Sequence, residues 1–208
     1  MVRINPLEEM LDLLSSDEKF LKTIKEVSRS RDKPYKYVSE NEKDKILSMD
    51  SLSEDVYEQL KKKYNNVAKH SSVDGLHYIK SGEQLKLIFI EFKHVNLSNE
   101  KTYAKAIEEL KVKLKLKPLE TLSCVFPHLI DNYSKKDKNL INSLLLKAEK
   151  HYFVVYKDIS NNTKSNLHKD LNRDLISVKR LAKHPFEKVY IVDPISFEKI
   201  MNSINNPI

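Results

Sequence analysis

Glycine is almost missing from this 208-residue chain, with Gly75 and Gly82 the only two. A phosphate-binding P-loop, a dinucleotide-binding Gly-x-Gly-x-x-Gly turn and a Gly-x-Ser-x-Gly nucleophile elbow each need glycines at fixed spacings that these two do not supply. Nucleotide-driven motors, dinucleotide oxidoreductases and elbow-type serine hydrolases are thereby set aside. Cysteine is scarcer still. The single Cys124 excludes an internal disulfide framework and a cysteine-based zinc cluster, and leads us to expect a reducing, cytoplasmic setting. It sits among apolar residues with no local base, as a buried thiol does. The seven histidines show no His-x-x-x-His pairing. Long apolar runs are lacking too: pieces such as Tyr152–Tyr156 fall far short of the ~18 residues of a membrane span. The opening Met-Val-Arg-Ile-Asn-Pro-Leu-Glu-Glu carries no apolar signal region. A protein without a membrane partner is expected.

Charge is what the chain has in plenty. Lysine and arginine number 37 against 30 acids, a net charge of +7. That surplus suits a polyanion such as nucleic acid, although a lysine-rich composition also follows genome base composition. The length, 208 residues, suits one domain with an appended segment, or at most two small domains.

The chain pivots on Ser72–Asn96. Val73–Ile79 is rich in strand formers, and Leu85–Phe92 is apolar except for Lys86 and Glu91. Between them, Ser81-Gly82-Glu83-Gln84 has glycine at the first central position of a type II′ hairpin turn. With Gly82 and Glu83 as the turn, paired residue numbers sum to 165, and Asp74 lies across from Glu91. Side-chain alternation then puts Lys93 on the face of Glu91. Two carboxylates about 5 Å apart repel by roughly 3 kcal/mol at an effective dielectric near 20. A divalent cation converts that cost into attraction.

Asp74 followed by Glu91-Phe92-Lys93 at the end of a buried strand resembles the PD-(D/E)XK nuclease superfamily. The resemblance covers roughly residues 54–116 and the later strand–helix rhythm. Val73 stands where many members have proline, and no Gln-x-x-x-Tyr element follows the lysine. The resemblance implies that Asp74 and Glu91 bind Mg²⁺ or Mn²⁺, that Phe92 offers its backbone carbonyl, and that Lys93 assists the attacking water. It also implies an endonuclease, a hydrolase of phosphodiester bonds in nucleic acid, with DNA as substrate. A third metal-site acid often comes from the helix before the first strand. Here Glu54 is the candidate, with Glu58 behind it, and both also read as ordinary solvated acids.

The remaining elements are expected as follows. Asn5-Pro6 caps a helix carrying Leu7, Met10, Leu11 and Leu14. A second helix starts at Ser15 or Ser16 and carries Phe20, Ile24 and Val27. A basic loop spans 28–36, and Ser39-Glu40-Asn41-Glu42 opens a short helix to Leu47. Residues 1–50 thus read as a helical extension that packs, dimerises or selects substrate. Residues 51–208 read as an α/β domain, a small mixed sheet with a central hairpin flanked by helices, restriction-endonuclease-like. Ser51-Leu52-Ser53-Glu54 starts a helix to Tyr64, and Ser98-Asn99-Glu100 starts one on which Lys105, Lys111, Lys113, Lys115 and Lys117 crowd the surface. Lys105, Lys111, Lys113 and Lys115 are candidate phosphate contacts, or simply a solvated face. Pro118 begins a further helix bent near Pro127. Leu140–Lys150 is helical, His151–Tyr156 a strand, Leu167–Leu181 a basic helix, and Val189–Val192 a strand before a terminal helix. An acid and a lysine two apart also occur on solvated strand faces. The rival reading is therefore a non-catalytic module of this or a similar fold that binds nucleic acid or protein.

Overall fold

Asn5 caps the first helix in the computed structural model, which describes residues 5–29, 37–81, 84–95, 100–158 and 175–205. Its side chain accepts from the N–H groups of Leu7 and Glu8 (3.0 and 3.5 Å), and Pro6, whose missing N–H loses nothing there, leads α1, Pro6–Ser15. Leu7, Met10, Leu11 and Leu14 form its buried stripe.

The next two expected helices are corrected to strands. β1 (Leu21–Thr23) and β2 (Lys45–Ser48) pair antiparallel, Leu21 opposite Leu47. Only α2 (Ile24–Val27) is helical here, opened by a capping box between Thr23 and Glu26. Around Asn41 the same side-chain chemistry closes a turn: Asn41 Oδ1 accepts from Lys43 N and Asp44 N, both at 3.0 Å. The described part of residues 1–50 therefore supplies one long helix and two strands of the main sheet, not helices throughout.

α3 (Met49–Lys63) starts two residues before Ser51, capped by Ser48, whose hydroxyl accepts from Ser51 N at 3.3 Å. It buries Leu52 and Val56, while Tyr64, just past its last residue, is largely exposed. β3 (Gly75–Ser81) and β4 (Gln84–Val95) form the hairpin, in register from Gly75 opposite Ile90 to Ser81 opposite Gln84. Every pair sums to 165, as the sequence predicts; the turn residues Gly82 and Glu83 lie outside the described residues. Gly75 serves a close approach of strands: a Cβ there would stand 2.5 Å from Ile46 Cδ1.

α4 (Glu100–Glu120) then runs straight through Pro118, which does not start a helix, into a π-helical turn, Thr121–Val125, and α5 (Phe126–Tyr133). After α6 (Lys138–Lys147), β5 (Glu149–Asp158) lies parallel to β4. Of the expected basic helix, residues 167–174 lie outside the described residues; α7 (Ile176–Lys179) and a 3₁₀ turn, Arg180–Lys183, are what is seen. β6 (Lys188–Val192) is parallel to β5, and α8 (Pro194–Asn205) closes the described chain.

The result is an α/β architecture: a mixed sheet in the order β1-β2-β3-β4-β5-β6, antiparallel through β4 and parallel beyond. One face, with Leu76, Leu87, Phe89, Tyr152 and Val154, packs against α1, α3, α4, α5 and α6. The other, with Ile88, Ile90, Phe92, Phe153 and Val155, packs against Ile24 and the Phe197 and Met201 of α8. Among the described residues no helix is long and apolar enough to cross a membrane.

Candidate active site

Leu87, Ile88, Phe89 and Ile90 are completely buried, and Glu91 follows them inward at 0% exposure. The hairpin register carries Asp74, the residue before β3, to the position across from it. Asp74 is anchored twice. Its Oδ2 accepts from Phe92 N at 2.6 Å, and its carbonyl accepts from Met49 N at 3.0 Å, tying the start of α3 to the end of the hairpin. Lys93, two residues on, points its Nζ to within 2.5 Å of Glu91 Oε1. Asp74, Glu91 and Lys93 thus converge, as their spacing predicts.

A fourth charge completes the cluster. Lys117 Nζ lies 2.7 Å from Glu91 Oε1 and 3.3 Å from Asp74 Oδ1, spanning the two acids. The end of α4 is stitched to the segment before Asp74: Thr121 Oγ1 donates to the Lys117 carbonyl (2.8 Å) and accepts from Val73 N (3.0 Å), and Glu120 Oε2 accepts from Ser71 N (2.8 Å). Pro118 removes one N–H from the ladder just before the π turn, a helical irregularity found often at functional sites. Sequence reading misses this role because Lys117 is one of several lysines on α4. A signal was present: Leu110 and Leu114 lie seven and three residues earlier, so Lys117 continues their inward stripe.

The electrostatics are those of a cluster held partly out of water. Burial, then the charge of Asp74, push the Glu91 carboxyl up to about 7, while Lys93 and Lys117 pull it back. Burial opposes the Lys117 charge, but Asp74 and Glu91 outweigh it and raise its pKa. Burial and the same two acids push the Tyr152 phenol far up. Glu91 Oε2 and the Tyr152 hydroxyl are buried with no hydrogen-bond partner among the described residues. A buried acceptor left so costs about 1–3 kcal/mol.

The cluster opens into a cleft of about 540 Å³ that Asp50, Asp74, Phe92, Lys93 and Lys117 line, with Arg29, Lys69 and His70 on its walls. His94, which alternation turns away from Lys93, nevertheless lines the same cleft. Glu54 does not join the cluster. Its half-exposed side chain pairs with Lys69, and with Glu58 it lines a separate depression. The acid of α3 that borders the cleft is Asp50, one turn earlier, within 3.4 Å of the Ser72 hydroxyl. On α4, Lys111 pairs with Glu108, Lys113 is exposed and Lys115 half-buried, and none lines the cleft. The Lys105 side chain lies outside the described residues.

Among the described residues no three His, Cys, Asp or Glu side chains are grouped to hold a metal. The donor set near the cluster is instead two carboxylates and a backbone carbonyl. In an antiparallel pair a residue turns its N–H and C=O to the same neighbour, so the Phe92 carbonyl faces the edge at which Asp74 takes its N–H. Hard oxygen donors of this kind, one or two carboxylates completed by water, suit Mg²⁺ or Mn²⁺. The orphaned Glu91 Oε2 is the observation that fits such an ion. Comparison of the chain with protein-family models, with curated proteins and with solved structures finds no match.

Proposed function

We propose that this chain is a metal-dependent nuclease that hydrolyses phosphodiester bonds in nucleic acid, with DNA as the expected substrate. One observation carries the reading: Asp74 and Lys93 line a cleft with cationic walls, and fully buried Glu91, one of whose oxygens has no hydrogen-bond partner among the described residues, lies directly behind them in contact with Lys93. Asp74, Glu91 and the Phe92 carbonyl would hold a Mg²⁺ or Mn²⁺ ion, which supplies Lewis-acid polarisation of a water and a phosphate oxygen when bound. Lys93 faces the cleft from the same strand face as Glu91. As an ammonium it would orient the attacking water, or, having first released its own proton to solvent, take the water's proton, and its charge would then meet the charge that builds on the phosphate. Arg29, Lys69 and His70, which line the cleft, would receive neighbouring phosphates. This is the resemblance to the PD-(D/E)XK superfamily restated in geometry, and a restriction-endonuclease-like fold is part of the proposal.

A second reading draws on the ion pairs themselves. Lys93 and Lys117 together match the two acids charge for charge, as they would in a non-catalytic module that binds nucleic acid or protein. Plasmid nicking separates the two. The nuclease nicks DNA in Mg²⁺ or Mn²⁺ but not in EDTA, and Lys93→Ala loses that activity while remaining folded. A binding module shifts DNA mobility in EDTA and never cuts. Nicking that survives in Lys93→Ala would remove the enzymatic assignment.

A further inference from the structure

We infer that Lys117 is a resident counter-ion that occupies the carboxylate pair in the metal-free protein and is displaced when a divalent cation binds. The inference rests on the metal-binding reading above and adds to it a competition within the chain. Lys117 Nζ sits between Asp74 Oδ1 and Glu91 Oε1, at 3.3 and 2.7 Å. Lys93 reaches the same Glu91 oxygen. Two acids and two ammonium groups already sum to zero, and Glu91 is fully buried. A divalent ion entering that space with both lysines in place would leave two uncompensated positive charges beside it, at a range where Coulomb repulsion in a protein interior is strong.

Of the two lysines, Lys117 is the one that contacts both acids, so the ion competes with it directly. Among the described residues Lys93 pairs with Glu91 and not with Asp74, and it lies on the strand that carries Glu91. Lys117 lines the cleft, which gives the released ammonium a place to turn. There a phosphate would meet its charge, so metal and substrate favour one another. The anchoring of Thr121 and Glu120 to Val73 and Ser71 holds the backbone below Lys117 in either state, and the exchange needs only side-chain rotation.

Binding of Mn²⁺ alone to the full-length wild type, Lys117→Met, Lys117→Arg and Asp74→Asn, followed by titration calorimetry, tests this. Removing the competing charge should tighten Mn²⁺ binding at least about tenfold in Lys117→Met, a small part of the repulsion available at this range. Lys117→Arg, which keeps the charge, should stay within about threefold of wild type on the same ground. Unchanged or weaker binding by Lys117→Met would overturn the inference. If wild type binds and Asp74→Asn does not, the metal reading stands whatever Lys117→Met does. If neither wild type nor Lys117→Met binds, the metal reading and the inference fall together. Wild-type protein gives a second readout that needs no variant to fold: amine-reactive labelling read by mass spectrometry. Lys117 should become more reactive when Mn²⁺ is added, and greater protection would contradict its release.

Discussion

Asp74 does two separable things, and two substitutions distinguish them. Its carboxylate carries a charge that faces Glu91 and Lys117, and its Oδ2 accepts the Phe92 N–H at 2.6 Å. Asp74→Asn removes the charge and keeps an oxygen for that N–H. Asp74→Ala removes both. The lost repulsion with Glu91 and the lost pairing with Lys117 are common to the two variants and cancel in their comparison. What remains is one backbone donor at a buried residue left unsatisfied, about 1–3 kcal/mol. For a domain of this size each kcal/mol moves the melting point by about 2–4 °C, so Asp74→Ala should melt about 2–12 °C below Asp74→Asn. Thermal unfolding in EDTA measures the difference, and plasmid nicking in Mn²⁺ should be at background in both. Equal melting points would show that the Asp74–Phe92 bond does not hold the acid in place. Wild-type nicking by Asp74→Asn would show that its charge is not used.

Gly75→Ala should destabilise by about 1–3 kcal/mol through overpacking, because its Cβ meets Ile46 Cδ1 at 2.5 Å and Val27 Cγ1 at 3.3 Å. Adding Ile46→Val removes the nearer atom, and the double variant should be more stable in urea melts than the two single losses predict; strict additivity would contradict the packing argument. Burial opposes the charge of Asp55, but Lys19, Tyr133 and Gln59 hold its pKa below the usual 3.8. Its stabilisation is therefore present above pH 3.8 and lost as pH falls through the lower folded value. Asp55→Asn should be less stable than wild type at pH 7, with the gap closing in acid, and a gap independent of pH would refute the sign. For DNA binding in EDTA, Lys69→Ala and Arg29→Ala should each weaken affinity and lower the salt slope by about 0.9 for each phosphate no longer neutralised. Lys113→Ala, outside the cleft, should do less; the reverse ranking would move the nucleic-acid path onto α4.

The hairpin was legible because two signals agreed. Gly82 marked the reversal, and an apolar run ending in Glu91 marked the face, so the register and the meeting of Asp74, Glu91 and Lys93 followed from residue spacing. Asn5-Pro6 was equally plain, since cap, proline and leucine stripe all name one helix start. β1 and β2 were not legible. Three and four residues are too few to show alternation, and Phe20, Ile24 and Val27 happen to fall at helical spacing. The polar residues near Asn41 form side-chain–backbone bonds of the kind that cap helices, yet they close a turn, and only the pairing of Ile46 and Leu47 with β1 settles which. Lys117 and Asp50 escaped for another reason. The stripe of Leu110 and Leu114 turns Lys117 inward, but which groups it meets there, like the place of Asp50, depends on where α4 and the start of α3 cross the strand ends. A helix read from Ser51 leaves Asp50 outside it, whereas α3 starts at Met49 and carries Asp50 in its first turn.

Manganese soaked into crystals of the wild-type protein, located by its anomalous scattering, bears on the proposal most directly. The ion should lie at oxygen distances of about 2 Å from Asp74, Glu91 and the Phe92 carbonyl, with Lys117 withdrawn from between the acids. Saturating Mn²⁺ that leaves no peak there, with Lys117 still spanning Asp74 and Glu91, would contradict it.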